Sequence, residues 1–230
     1  MMTNVKPEDL NYHRYSSTVY DRDIRAVIPG HKELHRKIQM LLKPYSKKHP
    51  DILELGIGTG LTAASVLKSV PEANYTGIDF SRTMLNGAKR RLSKKYRIKF
   101  ILGDYSFMKF PKSDIIISVI GIHHQTNQSK RAIFRKIFKA LRPGGVFIFS
   151  DLVTYRERKK AAINDARHYA HMVRNSSSQK SLEEWSYHHK FQNILAPLED
   201  QLEWLKSSGF SEVKVVYNHM NTALIIAKKC

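Results

Sequence analysis

The chain has 230 residues, 42% of them hydrophobic, which is enough for one large α/β domain or two small ones and excludes wholesale disorder. Its only cysteine is Cys230, so no disulfide framework and no cysteine-based metal site can form within one chain, and a cytoplasmic location is expected. The longest apolar run, residues 115–122, is far too short to span a membrane.

The formal net charge is +19, which permits attraction to RNA, anionic membranes or acidic substrates. The basic residues are spread along the chain on predicted helices, with ten Lys or Arg and one acid in residues 80–112. This distribution favours solvated helix faces over a nucleic-acid groove, and RNA binding stays open as the alternative.

The hydrophobic pattern predicts strands that alternate with helices. Residues 1–20 look irregular, and Ser81 is predicted to cap a helix. A polar, helical-looking insertion rich in His, Tyr and Arg occupies residues 152–194. The predicted strands are 52–55, 74–78, 98–102, 114–120, 146–150, 213–217 and 222–227, and the predicted helices are 31–43, 61–70, 82–93, 129–141 and 198–207.

This order predicts βαβ units and a parallel sheet, and the short turn at 218–221 makes the last two strands an antiparallel hairpin. We therefore expect an α/β fold with a doubly wound, mostly parallel seven-stranded sheet and a helical cap insertion. One domain is the simplest organisation for residues 1–230. Its expected parts are an N-terminal lid at 1–48, a ligand-binding core at 49–151, the cap insertion at 152–194, and a final helix and hairpin at 195–230.

The stretch "DILELGIGTG" places Gly56, Gly58 and Gly60 directly after the first predicted strand. Glycines there allow a tight turn and a close approach of a ligand to the backbone. The spacing does not fit the dinucleotide pattern G-x-G-x-x-G, because its sixth position is Leu61, and it does not fit the phosphate-binding loop, which needs G-K-[ST]. The glycines alone are also compatible with a turn that binds nothing.

Two carboxylates close the next two predicted strands. Asp79 ends "YTGID", and a carboxylate there can accept both hydroxyls of a ribose. Asp104 ends "FILGD" and can take an adenine amino group. Either aspartate can instead cap the helix that follows it. Their occurrence beside a glycine-rich turn favours a nucleoside ligand.

The motifs "ELGIGTG", "GIDFS", "GDY", "IISVIGIHH" and "LRPGGVFIFSD" stand in the order and spacing of class I S-adenosylmethionine-dependent methyltransferases, and the chain resembles that family over residues 51–151. The resemblance implies a Rossmann-like fold, S-adenosyl-L-methionine as cofactor and S-adenosyl-L-homocysteine as product. It also implies that the three glycines pack under the methionine and that Asp79 holds the ribose. The other implied cofactor contacts are Phe80, Asp104 and Tyr105 at the adenine, and Ser118 and Val119 at the methionine and sulfonium.

The flanking segments "VYDRDIRAVIPGHKEL" and "APLEDQLEWLKSSGF" resemble a narrower branch of small standalone methyltransferases, which includes relatives of the tRNA carboxy-S-adenosylmethionine synthase. That branch typically reads "IPGY" where this chain has His31. Tyr20 and Arg25 are candidates to close the cofactor site, and ordinary surface polarity explains them equally well. The synthase supplies an arginine between its last parallel strand and its final helix. No arginine follows Arg174 here, which disfavours synthesis of the carboxylated cofactor, and Lys190 keeps it open.

His123 and His124 follow the fourth predicted strand, where a histidine suits proton transfer at neutral pH. Structural histidines that pack on a neighbouring helix are an equal alternative. The adjacent histidines at 188–189 have no clear third ligand, so no metal site is predicted. The candidate substrate contacts are Asp151, Tyr155, Tyr187 and His188.

The leading hypothesis is in-line methyl transfer to a small-molecule acceptor. Modification of RNA or tRNA through the basic surface is the second hypothesis, and a non-catalytic cofactor-binding partner is the third. No membrane partner is expected, and we expect the protein to be a monomer or a homodimer.

Overall fold

A computed structural model describes residues 10, 16–45 and 49–230 of the protein. The prediction of an irregular segment at 1–20 therefore lies largely outside the described residues. The strands are β1 (Asp51–Leu55), β2 (Asn74–Asp79), β3 (Ile98–Leu102), β4 (Ser113–Val119), β5 (Leu141–Leu152), β6 (Glu212–His219) and β7 (Thr222–Lys228). The helices are α1 (Ser17–Val27), α2 (His31–Leu42), α3 (Leu61–Ser69), α4 (Arg82–Leu92), α5 (Asn127–Ala140), α6 (Arg158–Asn175), α7 (Gln179–Phe191) and α8 (Leu198–Ser207).

The seven strands form one sheet in the order β3-β2-β1-β4-β5-β7-β6. Strands β1 to β5 pair in parallel, and β7 runs antiparallel between β5 and β6. The predicted mostly parallel fold with a terminal hairpin is therefore confirmed. The strand order reverses between β1 and β4, where Leu55 pairs with Ser118. Ligands of doubly wound sheets bind beyond the carboxyl ends of the strands at such a point.

Helices cover both faces of the sheet. Helices α5 and α8 pack on one face around Phe134 and Leu205, and α2, α3 and α4 pack on the other around Leu34 and Leu67. The cap insertion forms α6 and α7, which share a separate apolar cluster with α1. This arrangement places α1 and the cap insertion beyond the sheet on the side that carries the ligand crevice. Among the described residues, no helix has both the length and the apolar character needed to cross a bilayer.

Helix α1 was not expected from the hydrophobic pattern, and the prediction of irregular structure is wrong for residues 17–20. Ser16 caps the helix, because its Oγ accepts the Val19 N–H at 3.3 Å. Two buried carboxylates, Asp21 and Asp23, lie on this helix and contact distant parts of the chain. Its apolar residues Ile24 and Val27 also pack against the cap insertion.

Several strand boundaries also differ from the prediction. Strand β5 starts at Leu141 rather than at residue 146, because Leu141 pairs with Ser113 before an irregularity in the ladder. The turn of the hairpin contains only residues 220 and 221, since β6 continues to His219.

Candidate functional site

A cavity of about 90 Å³, open to solvent, lies at the carboxyl ends of β1, β2 and β4 and is covered by α1. Of the predicted site residues, those that line it are Tyr20, Gly56, Gly58, Asp79, Phe80, Tyr105, Val119 and His124. These residues come from six separate segments of the chain. The fold therefore brings most of the predicted cofactor residues together in one place.

Gly58 stands at the tip of the glycine loop, which we define as residues 56–60. Its φ is 56°, a left-handed conformation that side chains rarely adopt. A Cβ added to Gly58 would meet no protein atom within 4 Å, so the absent side chain leaves open space beside the cavity. Gly60 differs, because a Cβ there would lie 2.8 Å from Leu92 Cδ1. Gly60 does not line the cavity and instead allows α3 to start against α4.

Asp79 holds the glycine loop from below. Its Oδ2 accepts the Gly58 N–H and its Oδ1 accepts the Ser81 N–H, both at 2.8 Å. Burial raises the pKa of Asp79 to about 6, against the lowering effect of these two hydrogen bonds. Each carboxylate oxygen keeps a second lone pair, so positioning the loop and accepting a ligand hydroxyl are compatible roles.

Helix α1 is fastened to the glycine loop by ionic and hydrogen-bonding contacts. Thr59 Oγ1 donates to Asp21 Oδ1 at 2.5 Å, and Arg91 pairs with the other oxygen of Asp21. Arg91 also donates to the Thr59 carbonyl at 2.6 Å. These three residues form what we call the α1 clamp. Sequence reasoning missed them, because they are separated by 32 to 70 positions and match no local motif.

Helix α1 is also tied to the cap insertion. Ser177 Oγ and Ser181 Oγ each donate to Asp23 at 3.2 Å. One helix thus connects the glycine loop on one side with α7 on the other.

Four predicted cofactor residues lie outside the lining of this cavity. Ser118 Oγ donates to the Leu55 carbonyl within the sheet, and Asp104 accepts the Ser106 N–H. Arg25 lines a neighbouring depression instead. Ser118, Asp104 and Gly60 serve local structure in this conformation.

Several lining residues were not predicted. His31 and His35 line the cavity with their rings 4.3 Å apart, and His35 contacts Thr62 Oγ1 at 3.2 Å. Burial lowers the pKa of His31 to about 3. The change from tyrosine to His31 in the "IPGY" segment is the sequence signal that marks this position. The other unpredicted lining residues are Ile24, Ile57, Thr59, Leu61, Met84, Ile120 and Gly121.

Ile120 has a φ of 52°, an outlier for a β-branched residue. Its N–H donates to the Ser150 carbonyl at 2.8 Å, which holds the end of β4 in this strained conformation. Backbone strain of this kind concentrates at binding sites. Ile120 lines this first cavity, which we also call the cofactor-side cavity, and it lines a second cavity as well.

The second cavity has a volume of about 20 Å³ and lies between α1, α6, α7 and the segment after β4. It shares Tyr20, Ile24, Ile120 and His124 with the first cavity, so the two cavities adjoin at these residues. His123 and His188 line it as well. None of the described residues that line either cavity is a lysine or an arginine.

Asp151 does not reach either cavity, which corrects its prediction as a substrate contact. It lies beneath His123, whose Nδ1 is 2.5 Å from Asp151 Oδ1. Both side chains are buried, and burial raises the pKa of Asp151 to about 7 and lowers that of His123 to about 3. Asp151 therefore orients the His123 ring.

Two tyrosines predicted as substrate contacts also lie elsewhere. The Tyr155 hydroxyl donates a hydrogen bond to Asn218 Oδ1 at 3.2 Å and so joins the start of the cap insertion to the hairpin. Tyr187 is 58% exposed and packs on Phe191 on the outer face of α7. Helix α7 turns His188 inward instead, because neighbouring residues on a helix point in different directions.

In sequence, residues 52–145 match the protein family described as a methyltransferase domain. The carboxy-S-adenosyl-L-methionine synthase of Helicobacter hepaticus is 28% identical over 223 residues, which cover 93% of this chain and 92% of the relative. The synthase of Shewanella piezotolerans is 23% identical over 228 residues, covering 96% and 93%. The human N-acetylserotonin methyltransferase, solved in complex with SAM, has the same fold, with a TM-score of 0.58 and 16% identity, covering 93% of this chain and 58% of that one.

The fold, the crevice and these matches support the assignment of the chain as a class I S-adenosylmethionine-dependent methyltransferase. Within that class the chain is related to the carboxy-S-adenosyl-L-methionine synthases. The predicted cofactor, S-adenosyl-L-methionine, is thereby confirmed.

Proposed function

We propose that the protein transfers a methyl group from S-adenosylmethionine to a small-molecule acceptor held in the second cavity. The single observation that carries this proposal is that the two cavities adjoin at Tyr20, Ile24, Ile120 and His124. A cofactor in the first cavity and an acceptor in the second would meet at these residues. A site enclosed by α1, α6 and α7 also suits an acceptor much smaller than a folded RNA.

The residues present fit the cofactor. The open space at Gly58 is the cradle that a Cβ would fill, and Asp79 is a buried acceptor at the end of β2. Phe80 and Met84 supply apolar surface for an adenine. When bound, S-adenosylmethionine supplies a methyl group that is already activated for displacement. The chain then has to align the acceptor and exclude water, for which α1 and the cap insertion are placed.

The histidines at the junction were predicted as candidate bases. Burial lowers the pKa of both His123 and His124 to about 3, so both rings are neutral at neutral pH. A neutral ring can accept a proton, but a conjugate acid with such a low pKa makes it a weak base. We therefore propose that alignment contributes more to the rate than proton abstraction does.

A second candidate function comes from the relatives, whose names describe synthesis of carboxy-S-adenosyl-L-methionine. That product carries an additional carboxylate, which calls for a cation near the sulfonium. The described lining of the two cavities contains no lysine or arginine, and this favours methyl transfer. Mass spectrometry of the nucleosides released from the purified protein separates the two, because carboxylated cofactor would favour the synthase.

The acceptor class is tested with methyl-labelled S-adenosylmethionine and a cell extract separated into small-molecule, RNA and protein fractions. Label in the small-molecule fraction is the expected result. Label in RNA would overturn the proposal and make the basic helices the substrate-binding surface. A matched reaction with Asp79→Ala, which should bind the cofactor poorly, identifies label that other enzymes transfer.

A further inference from the structure

Three histidines converge in the wall of the second cavity. One ring nitrogen from each of His123, His124 and His188 lies within 4.8 Å of the others. His123 and His124 belong to the turn after β4, whereas His188 comes from α7 in the cap insertion. Their ring centroids are 4.0 Å apart for His123 and His124, and 5.2 Å apart for His124 and His188. We call this group the histidine cluster.

Two of the three rings are oriented by hydrogen-bond acceptors behind them. His123 Nδ1 lies 2.5 Å from the Asp151 carboxylate, and His124 Nδ1 lies 2.8 Å from the Gln192 carbonyl. A carbonyl or an ionised carboxylate fixes the hydrogen on Nδ1, so Nε2 is the nitrogen through which these two rings would bind a metal ion. Metal-binding histidines typically have such an acceptor behind the ring, which sets both its tautomer and its orientation.

All three histidines of the cluster are buried. The buried ammonium of Lys130 adds positive charge nearby, and the Asp151 carboxylate offsets it.

We propose that His123, His124 and His188 bind one divalent transition-metal ion of the zinc class. Three nitrogen donors suit Zn²⁺ and its neighbours, whereas Mg²⁺ and Ca²⁺ prefer oxygen ligands. Zinc–nitrogen bonds of about 2.0–2.1 Å put tetrahedral ligand nitrogens about 3.3 Å apart, so binding would draw the three rings slightly inward. Three protein ligands leave a fourth position for a ligand in the second cavity.

The proposed ion would also join two parts of the fold. His188 belongs to the cap insertion, and the other two ligands belong to the end of β4. Metal binding should therefore hold the cap insertion against the sheet and stabilise the folded protein. This inference goes beyond methyl transfer and does not depend on the identity of the acceptor.

The test uses the full chain without an affinity tag, stripped with a chelator and titrated with Co²⁺ as a visible substitute for Zn²⁺. His188→Asn removes a proposed ligand. His189→Asn is the matched control, because His189 is the next residue on α7 and contacts Asp165 at 2.9 Å, outside the histidine cluster. We expect one Co²⁺ per chain with the absorption of a tetrahedral site in the wild type and in His189→Asn, and affinity weaker by on the order of 100-fold in His188→Asn.

A third variant, His188→Cys, covers the case in which His188→Asn does not fold. A thiolate at position 188 should retain the ion and add a sulfur-to-cobalt charge-transfer band, which identifies position 188 as a ligand. Equal Co²⁺ binding by the wild type and His188→Asn would overturn the proposal, and so would the absence of stoichiometric binding by the wild type. All of these readouts are independent of transferase activity, so they remain informative if the proposed function is wrong.

Discussion

Glu54 is fully buried in β1, directly beneath the glycine loop, and its Oε2 accepts the Tyr75 hydroxyl at 2.7 Å. Burial raises the pKa of Glu54 to about 8. The folded protein therefore holds a proton on this side chain at neutral pH, whereas the unfolded chain, with a pKa near 4.5, has lost it. Glu54 contributes stability that is present below the unfolded-state pKa and is lost as the pH rises through the folded-state pKa.

We expect Glu54→Gln to remove this pH dependence, because glutamine keeps an acceptor for Tyr75 and does not ionise. Between pH 4.5 and about 8, the wild type should lose unfolding free energy relative to the variant by up to about 1.4 kcal/mol per pH unit. Urea denaturation across this range measures the difference. Parallel stability profiles for the two proteins would contradict the buried, protonated state of Glu54.

Gly58→Ala and Gly144→Ala form a matched pair at the residue scale. Both glycines have left-handed φ angles, 56° and 74°, and at both an added Cβ meets no protein atom within 4 Å. Each substitution should cost a similar backbone strain of about 1–2 kcal/mol. Only Gly58 borders the cavity, so only Gly58→Ala should weaken S-adenosylhomocysteine binding, by more than about tenfold. Calorimetric titration measures this, and equal affinities would place the cofactor elsewhere.

At the scale of elements, α1 decides how the cofactor-side cavity is closed. The α1 clamp joins Asp21 to Thr59 and Arg91, and Asp23 joins the same helix to the cap insertion. A helix that covers a binding site and is held there by side-chain contacts, without pairing into the sheet, is a natural unit for local opening. Its opening would admit the cofactor without disturbing the sheet.

Asp21→Ala should release this helix, because it removes the acceptor of both Thr59 and Arg91. We expect the free energy of local opening to fall by about 1–3 kcal/mol, with faster hydrogen exchange in α1 and weaker S-adenosylhomocysteine binding. Glu33→Ala is the control, since Glu33 pairs with Arg36 on the exposed surface of α2. If the two variants exchange α1 amides at the same rate, the α1 clamp does not hold the helix.

For the whole molecule, the net charge of +19 is compatible with two interpretations of the basic surface. Its lysines and arginines either form solvated helix faces or bind RNA. Since neither cavity has a lysine or an arginine in its described lining, the enclosed site itself offers no phosphate-binding side chain of that kind. The basic residues lie instead on helices that cover the sheet, such as α4 and α5.

Salt dependence separates the two readings. For a small neutral acceptor, kcat/KM should change by less than about twofold between low and physiological salt. Such an acceptor forms no charge–charge contact with the protein surface that salt could screen. Transfer to RNA should instead weaken steeply as the salt concentration rises. For each phosphate contact, the logarithm of kcat/KM should fall by about 0.7–0.9 per tenfold increase in salt. Measuring kcat/KM against salt with the labelled fractions decides between them, and a steep dependence would contradict a small neutral acceptor.

The positions of most strands and helices were predicted from the local pattern of apolar residues and from capping residues. The strand at Ile98–Leu102, the helix at Leu198–Ser207 and the cap at Ser81 lie where the sequence predicts them. Local chemistry is sufficient there, since apolar periodicity and a capping hydroxyl act within a few residues. Helix α1 was missed because its stabilising partners lie far along the chain.

The candidate site shows the same division. The order of motifs identified the class and placed Gly58 and Asp79 beside one cavity, because the ends of adjacent parallel strands meet at one edge of the sheet. The sequence did not show that Tyr155 and Tyr187 lie away from the two cavities. Packing, and not residue type, decides which face of a cap helix points toward the site. The proposed metal site was not predicted from the sequence, because His188 approaches His123 and His124 only once the cap insertion folds over the sheet.

The sequence by itself determined the alternation of strands and helices, the glycine loop and the carboxylates that follow the strands, since all of these depend on interactions between near neighbours. Only the tertiary structure decided that α1 closes the site, that Asp151 supports a histidine, and that two cavities meet at Ile120. These features depend on contacts between residues distant in sequence, and burial then sets their conformation and protonation.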